Sequence, residues 1–160
     1  MAGLNVLHLR AAYFMENHYW SIPTIKIANI NGTAIDADLS FPQVATADIA
    51  RKAADVLDRL DFKGRTVLEL GGPKDLTMKE ATRILGRAVG KPLLKYAEFP
   101  YEEVEKSLAG SGMKPATAAL MVDMYRGFND GLVAPEEPLK ERGTIALEDF
   151  ALGFAAAYKA

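Results

Sequence analysis

The chain has 160 residues, 49% of them hydrophobic, with a formal net charge of −2 and no cysteine. That length and composition fit one domain with a sizeable core. Disulfides and thiolate metal sites are excluded, and without a basic run the chain lacks what a nucleic-acid partner needs to have its phosphates neutralised.

Leu4 to Leu9 (LNVLHL) reads as a buried strand, being short and apolar. The stretch AAYFMENHYW then has helical apolar spacing. Asn31-Gly32 marks a turn within an irregular segment from Ile25 to Val44. Thr46 can cap a helix running to about Leu60, with Ile49, Ala50, Ala53, Val56, Leu57 and Leu60 on one apolar face. Asp48 falls in its first turn, where the helix dipole favours a negative charge. Lys63-Gly64 ends that segment, and Thr66 to Leu70 reads as a strand.

Thr77-Met78-Lys79-Glu80 has the form of a capping box, in which hydroxyl and carboxylate satisfy free amides reciprocally. The helix it opens carries Met78, Ala81, Ile84, Leu85 and Ala88 and stops at Gly90. Leu93 to Phe99 is a second strand. Pro100 opens a short helix closing at Gly110 or Gly112, and Pro115 suits the first position of the next. That helix carries Leu120, Met121, Met124, Tyr125 and Phe128. A charged, Pro-rich loop follows from Val133 to Gly143. A last helix from about Leu147 has Phe150, Ala151, Phe154 and Tyr158 on one side. Strands separated by helices make an α/β pattern.

Two glycine pairs invite comparison with nucleotide-binding loops. Gly71-Gly72 lies between a strand and a helix, but Pro73 has no amide proton to donate and Asp75 would face any phosphate with a negative charge. Gly110-Ser111-Gly112 follows a helix rather than a strand, and Pro115 stands where a third glycine belongs. Both read as structural turns. His8 and His18 lack metal-ligand spacing; His8, inside an apolar strand, reads as a core histidine. No Tyr has a Lys four residues on. Glu102, Glu103 and Glu105 read as a solvated helix face. The stripe of Met121, Met124, Tyr125 and Phe128 reads as core, with an adaptable apolar ligand site as the competing reading. No apolar run is long enough to cross a bilayer, and no signal peptide is evident. A cytoplasmic protein with no membrane partner is expected.

Taken together the segments resemble one family. LHLRAAYFMEN is similar to a strand and turn of NmrA-like proteins that reads apolar-Leu-Arg-Pro-x-x-Phe-Met-Glu-Asn, with Ala11 in place of the proline. FPQVATADIARKAADVL resembles their Val-Ala-Thr-x-Asp-Ile-Ala block. VLELGGPKDLTMKEATRILGRAVGKPL resembles the strand, Gly-Pro turn and helix that follow, and TIALEDFALGFAAAY their closing helix. NmrA-like proteins are atypical members of the short-chain dehydrogenase/reductase superfamily. The resemblance implies an α/β fold with a partial Rossmann-like sheet, formed by the C-terminal strands, and a helical substrate-side lobe. Residues 1–160 would form a single domain matching the family's C-terminal half, without its N-terminal Gly-rich half.

The family binds NADP or NAD. Carried over by position, the cofactor-binding residues would be Arg10, Ala11, Ala12, Tyr13, Phe14 and Asn17. Without a pyrophosphate cradle, no cofactor is expected on the isolated chain, and no catalytic or metal-binding residue is assigned. Three functions follow as expectations. The first is a binding or regulatory module without its own catalysis. The second is a substrate-binding subunit whose NAD(P)H half lies on another chain. The third is a carrier of a small apolar ligand. A homodimer through the N-terminal strand and helix is also expected, with Tyr13, Phe14, Tyr19 and Trp20 at the contact.

Overall fold

Every strand pairing described in register is parallel, so helices and loops must carry the chain back between strands. The computed structural model describes residues 3–135 and 138–160. The chain opens with strands β1 (Val6–Ala11) and β2 (Tyr13–Phe14), a 3-10 helix (Met15–Ser21) and helix α1 (Ile22–Ala28). Strands β3 (Ile30–Thr33) and β4 (Ser40–Val44) precede helix α2 (Thr46–Arg59). Strands β5 (Arg65–Gly71) and β6 (Asp75–Thr77) lead into helix α3 (Met78–Ala88) and strand β7 (Lys95–Glu98). Helices α4 (Tyr101–Gly110) and α5 (Pro115–Asn129), strand β8 (Glu141–Arg142) and helix α6 (Leu147–Lys159) complete it. The fold is α/β, with small parallel Rossmann-like sheets.

Two compact units share the chain. The first comprises Met1–Tyr19, Phe41–Leu76 and Pro135–Ala160. Its main sheet has the order β1-β5-β8, and β2 pairs with β4 beside it. Tyr13, Met15, Phe41, Val44, Val56, Leu70, Leu147, Ala151 and Phe154 are buried. Tyr19 packs its ring on Phe150 at 5.3 Å and Phe154 at 5.8 Å, which ties the 3-10 helix to α6. The side of α6 expected to pack is the side that does. At its start the Asp149 carboxylate accepts the Ala146 amide at 3.3 Å.

The second unit comprises Trp20–Ser40 and Thr77–Ala134. Strands β3 and β7 pair in it, with Asn31 opposite Tyr96. The capping box at α3 is present: the Glu80 amide donates to the Thr77 hydroxyl at 3.1 Å, and the Thr77 amide to the Glu80 carboxylate at 2.9 Å. Met78, Ala81 and Leu85 are buried along that helix. Asn31, at the expected turn, is instead a strand residue, buried and donating to Thr82 at 2.7 Å. Gly110-Ser111-Gly112 is the turn between α4 and α5, with Gly112 at φ 97°.

Several expectations are corrected. β1 is not a buried strand, since none of its residues is buried. His8 is accordingly exposed and is not a core histidine. It occupies the open face of the edge strand, whereas His18 is the buried one. AAYFMENHYW forms a short strand and a 3-10 helix rather than an α-helix. In α2 the buried side chains are Asp48 and Val56, while Leu57 and Leu60 are each 66% exposed. Leu57 falls past the edge of the inward stripe, and Leu60 leaves the helical path at a left-handed C-cap of φ 48°. In α5, Leu120 is exposed; the inward stripe is Ala118, Val122 and Tyr125. Of the aromatics expected at a dimer contact, Tyr13 is buried and Tyr19 packs on α6, leaving Phe14 and Trp20 exposed. The segment expected to be loop from Val133 to Gly143 contains β8; residues 136 and 137 of it lie outside the described residues.

Candidate functional site

The end of β1, strand β2 and the start of the 3-10 helix carry the residues for which the family resemblance implies cofactor contact. Arg10 is exposed on β1, opposite Glu69 of β5, with an ion pair at 3.6 Å. Ala11 still belongs to the strand, paired with Leu70, and the Ala12 amide donates to the Leu70 carbonyl at 2.9 Å. The strand thus runs through the position where proline is replaced by alanine.

Alternation along β2 then sends neighbouring side chains to opposite sides. Tyr13 points inward, edge-on to Phe41 at 5.5 Å and to His18 at 5.8 Å. Phe14 points outward and is 40% exposed. Asn17 is exposed on the 3-10 helix. The structure therefore brings Arg10, Phe14 and Asn17 to the surface, and uses Tyr13 as an anchor.

Beneath the turn lies a polar pair the sequence reading did not single out. His18 Nε2 and Gln43 Oε1 are 2.9 Å apart, both residues buried. The Gln43 amide nitrogen also donates to the Leu76 carbonyl at 3.4 Å, so its oxygen is the acceptor for His18. Burial pushes the His18 pKa below its ordinary value, with the Gln43 hydrogen bond opposing. The available signal was Gln43 itself, a polar residue inside the run FPQV, since a polar group in an apolar strand needs a buried partner. Above the same turn, Glu16 accepts the Thr46 amide at 3.0 Å and the Thr46 hydroxyl, so Thr46 fixes this turn rather than capping α2.

The glycine pair at the end of β5 is filled by the protein's own chain. A Cβ on Gly72 would overlap the Gln43 carbonyl oxygen, and one on Gly71 would lie 2.9 Å from Pro42. The Arg142 guanidinium donates to the Gly72 carbonyl at 2.9 Å and to Asp75 at 2.8 Å. Close packing against Pro42 and Gln43 of β4 and against Leu139 is what requires glycine here.

On α5, Tyr125 is buried and Met121, Met124 and Phe128 are half-buried. Burial raises the Tyr125 pKa. One turn on, Asn129 accepts the Asp36 amide at 2.9 Å and donates to the Ala34 carbonyl at 2.8 Å and Tyr101 at 2.7 Å. The Arg126 guanidinium stacks over the Tyr101 ring at 4.0 Å, joining α4 to α5. Among the described residues no group of three or more His, Asp or Glu could hold a metal ion. None of their helices is long and apolar enough to cross a membrane.

No family model matches the chain. It is 27% identical to Prestalk A differentiation protein A of Dictyostelium discoideum over 124 residues, which are 78% of this chain and 40% of that protein. Among solved structures, it is similar to an NADPH-dependent quinone oxidoreductase of Escherichia coli complexed with NADPH. The TM-score is 0.77 at 21% identity, over 95% of this chain and 54% of that one. It is also similar to NmrA, a negative transcriptional regulator solved in complex with NAD. There the TM-score is 0.64 at 13% identity, over 95% of this chain and 53% of that one. The chain thus has the fold shared by NmrA and the NADPH-dependent reductase, and spans about half the length of each.

Proposed function

We propose that the chain is a binding or regulatory module on the NmrA-like fold, without catalysis of its own. The observation that carries this reading is the closed glycine turn. A phosphate cradle needs free backbone amides at a helix start. Here Pro73 supplies none, Gly72 is packed on Gln43, and the Thr77 amide is already given to Glu80. Arg10, Phe14 and Asn17 would form the ligand-facing part of the first unit.

The likeness to an oxidoreductase complexed with NADPH favours a second reading. In it the same residues meet a nicotinamide nucleotide whose phosphates are bound by a separate chain. A third reading, an apolar ligand on Met121, Met124 and Phe128 around Tyr125, rests on their incomplete burial. We propose a cytoplasmic setting for all three.

Calorimetric titration of NADPH and NADH into the isolated chain tests the first reading. The expected result is no measurable binding. A dissociation constant in the low micromolar range, about −8 kcal/mol, overturns it.

A further inference from the structure

Tyr125 carries a polar group that the second unit leaves unanswered. The residue is only 8% exposed, yet its hydroxyl makes no hydrogen bond among the described residues. Every fully buried side-chain nitrogen and oxygen among them has a partner, so this hydroxyl is where Tyr125 reaches the surface.

The polar groups around it are already committed. Tyr96 is near enough for Tyr125 to help raise its pKa. The Tyr96 hydroxyl donates to the Ile35 carbonyl at 2.7 Å, so it accepts from the Thr33 hydroxyl, also at 2.7 Å. Thr33 in turn accepts the Ile35 amide at 3.1 Å. One turn beyond Tyr125, Asn129 takes the Asp36 amide and gives its two protons to Ala34 and Tyr101. A ligand atom arriving here finds one polar group to answer it. That group is a donor, because burial raises the Tyr125 pKa with no charged neighbour contributing, and the phenol keeps its proton at neutral pH.

The rim around the hydroxyl is apolar. Met121, Tyr125 and Phe128 fall at i, i+4 and i+7 on α5, one row of the helix, with Met124 beside them. Helical side chains lean toward the N-terminus, which brings the Tyr125 ring over the turn that carries Met121. The buried stripe is Ala118, Val122 and Tyr125, whereas Met121, Met124 and Phe128 stay half-buried. Methionine is unbranched and adapts to the shape set against it. Apolar walls with few placed polar groups are the usual make-up of a small-molecule site.

We infer, resting on the third reading, that this rim binds a neutral, largely apolar molecule through one carbonyl oxygen. The oxygen accepts the Tyr125 hydroxyl, and the hydrocarbon part lies on Met121, Met124 and Phe128. A carboxylate fits less well, because burying an anion against a single neutral donor costs more than the bond returns. The only cation on α5, Arg126, is exposed and stacked on Tyr101. A plain hydrocarbon would cover the hydroxyl without accepting its proton.

Three probes of one shape test this on the intact chain: acetophenone, ethylbenzene, which lacks the oxygen, and benzoate, which is charged. Binding is read from methionine methyl signals by nuclear magnetic resonance. Those of Met121 and Met124 should move while that of Met15, in the first unit, stays still. Acetophenone is expected to bind tightest. Tyr125→Phe deletes only the unanswered hydroxyl, so the fold should persist. It should lower the ratio of acetophenone to ethylbenzene affinity about fivefold, the net worth of one hydrogen bond. An unchanged ratio overturns the inference and leaves the third reading standing. Silent Met121 and Met124 signals with acetophenone and ethylbenzene alike overturn both. The wild-type comparison decides even if Tyr125→Phe fails to fold, since tighter binding of ethylbenzene or benzoate than of acetophenone also overturns the inference.

Discussion

The buried carboxylate of Asp48 accepts the backbone amide of Thr144 at 2.9 Å, across 96 residues of sequence. Its Oδ2 also takes the Ile145 amide at 2.9 Å, and its Oδ1 takes Arg51 from the next turn of α2. One side chain in the first turn of α2 thereby holds the segment that enters α6. Gly143 is part of this arrangement, because a Cβ there would overlap the carboxylate.

Asp48→Ala would leave both amides without their acceptor. Asp48 is only 3% exposed, so water does not readily replace it, and the loss should be about 3 kcal/mol. Asp48→Asn keeps one acceptor but turns a donor toward a donor, and should cost about 2 kcal/mol. Urea denaturation of both variants checks the order. Equal midpoints for the wild type and Asp48→Ala would show that the clamp contributes nothing.

Thr77→Ala removes the hydroxyl that accepts the Glu80 amide at the start of α3. The fold should persist with a loss of about 1 kcal/mol, visible as a lower thermal midpoint. An unchanged midpoint would be incompatible with this cap contributing to α3.

Gly72→Ala and Gly110→Ala should behave oppositely. At Gly72 the added carbon meets backbone oxygen, which cannot swing aside, and the loss should be about 3 kcal/mol. At Gly110, the last residue of α4, the added carbon meets nothing within 4 Å. Alanine there should stabilise by about 0.5 kcal/mol. Thermal melts of the pair compare them. A harmless Gly72→Ala would mean that the glycine turn is roomy, and would reopen it as a ligand site.

His18 makes stability depend on pH in a stated direction. Burial depresses its folded-state pKa below the ordinary 6.5. Below pH 6.5 the unfolded chain therefore binds a proton that the folded chain resists, and stability falls with pH. It is fully present above 6.5 and declines as pH drops through 6.5 toward the folded value. Urea midpoints measured between pH 7 and pH 5 should decrease, and His18→Gln should flatten that part of the curve. A wild-type midpoint constant over this range would contradict the buried, neutral histidine.

The parts of this fold legible in the sequence are those set by short-range chemistry. The Thr77–Glu80 box, Pro115 at the first position of α5 and the inward stripe of α6 depend on residues a turn or two apart. Backbone sterics and local hydrogen bonds fix them wherever the segment sits. The structural nature of the two glycine turns was legible for the same reason, because Pro73 and Pro115 limit what the backbone near them can offer.

Which apolar residues are covered was decided by tertiary structure. LNVLHL has the composition of an interior strand, but the sheet face that His8 shares with Val67 of the central strand β5 is left uncovered among the described residues, so His8 is exposed and the strand is not buried. Leu57 continues the apolar pattern of α2 yet faces outward, because the stripe that packs is centred elsewhere on the helix, and Leu60 lies past the helix at its left-handed C-cap. The links from Asp48 to Thr144 and from His18 to Gln43 span 96 and 25 residues. A single sequence supplies the donor and acceptor types for such bonds. Only the folded chain chooses among the possible partners, because selectivity comes from the cost of leaving a buried polar group unpaired.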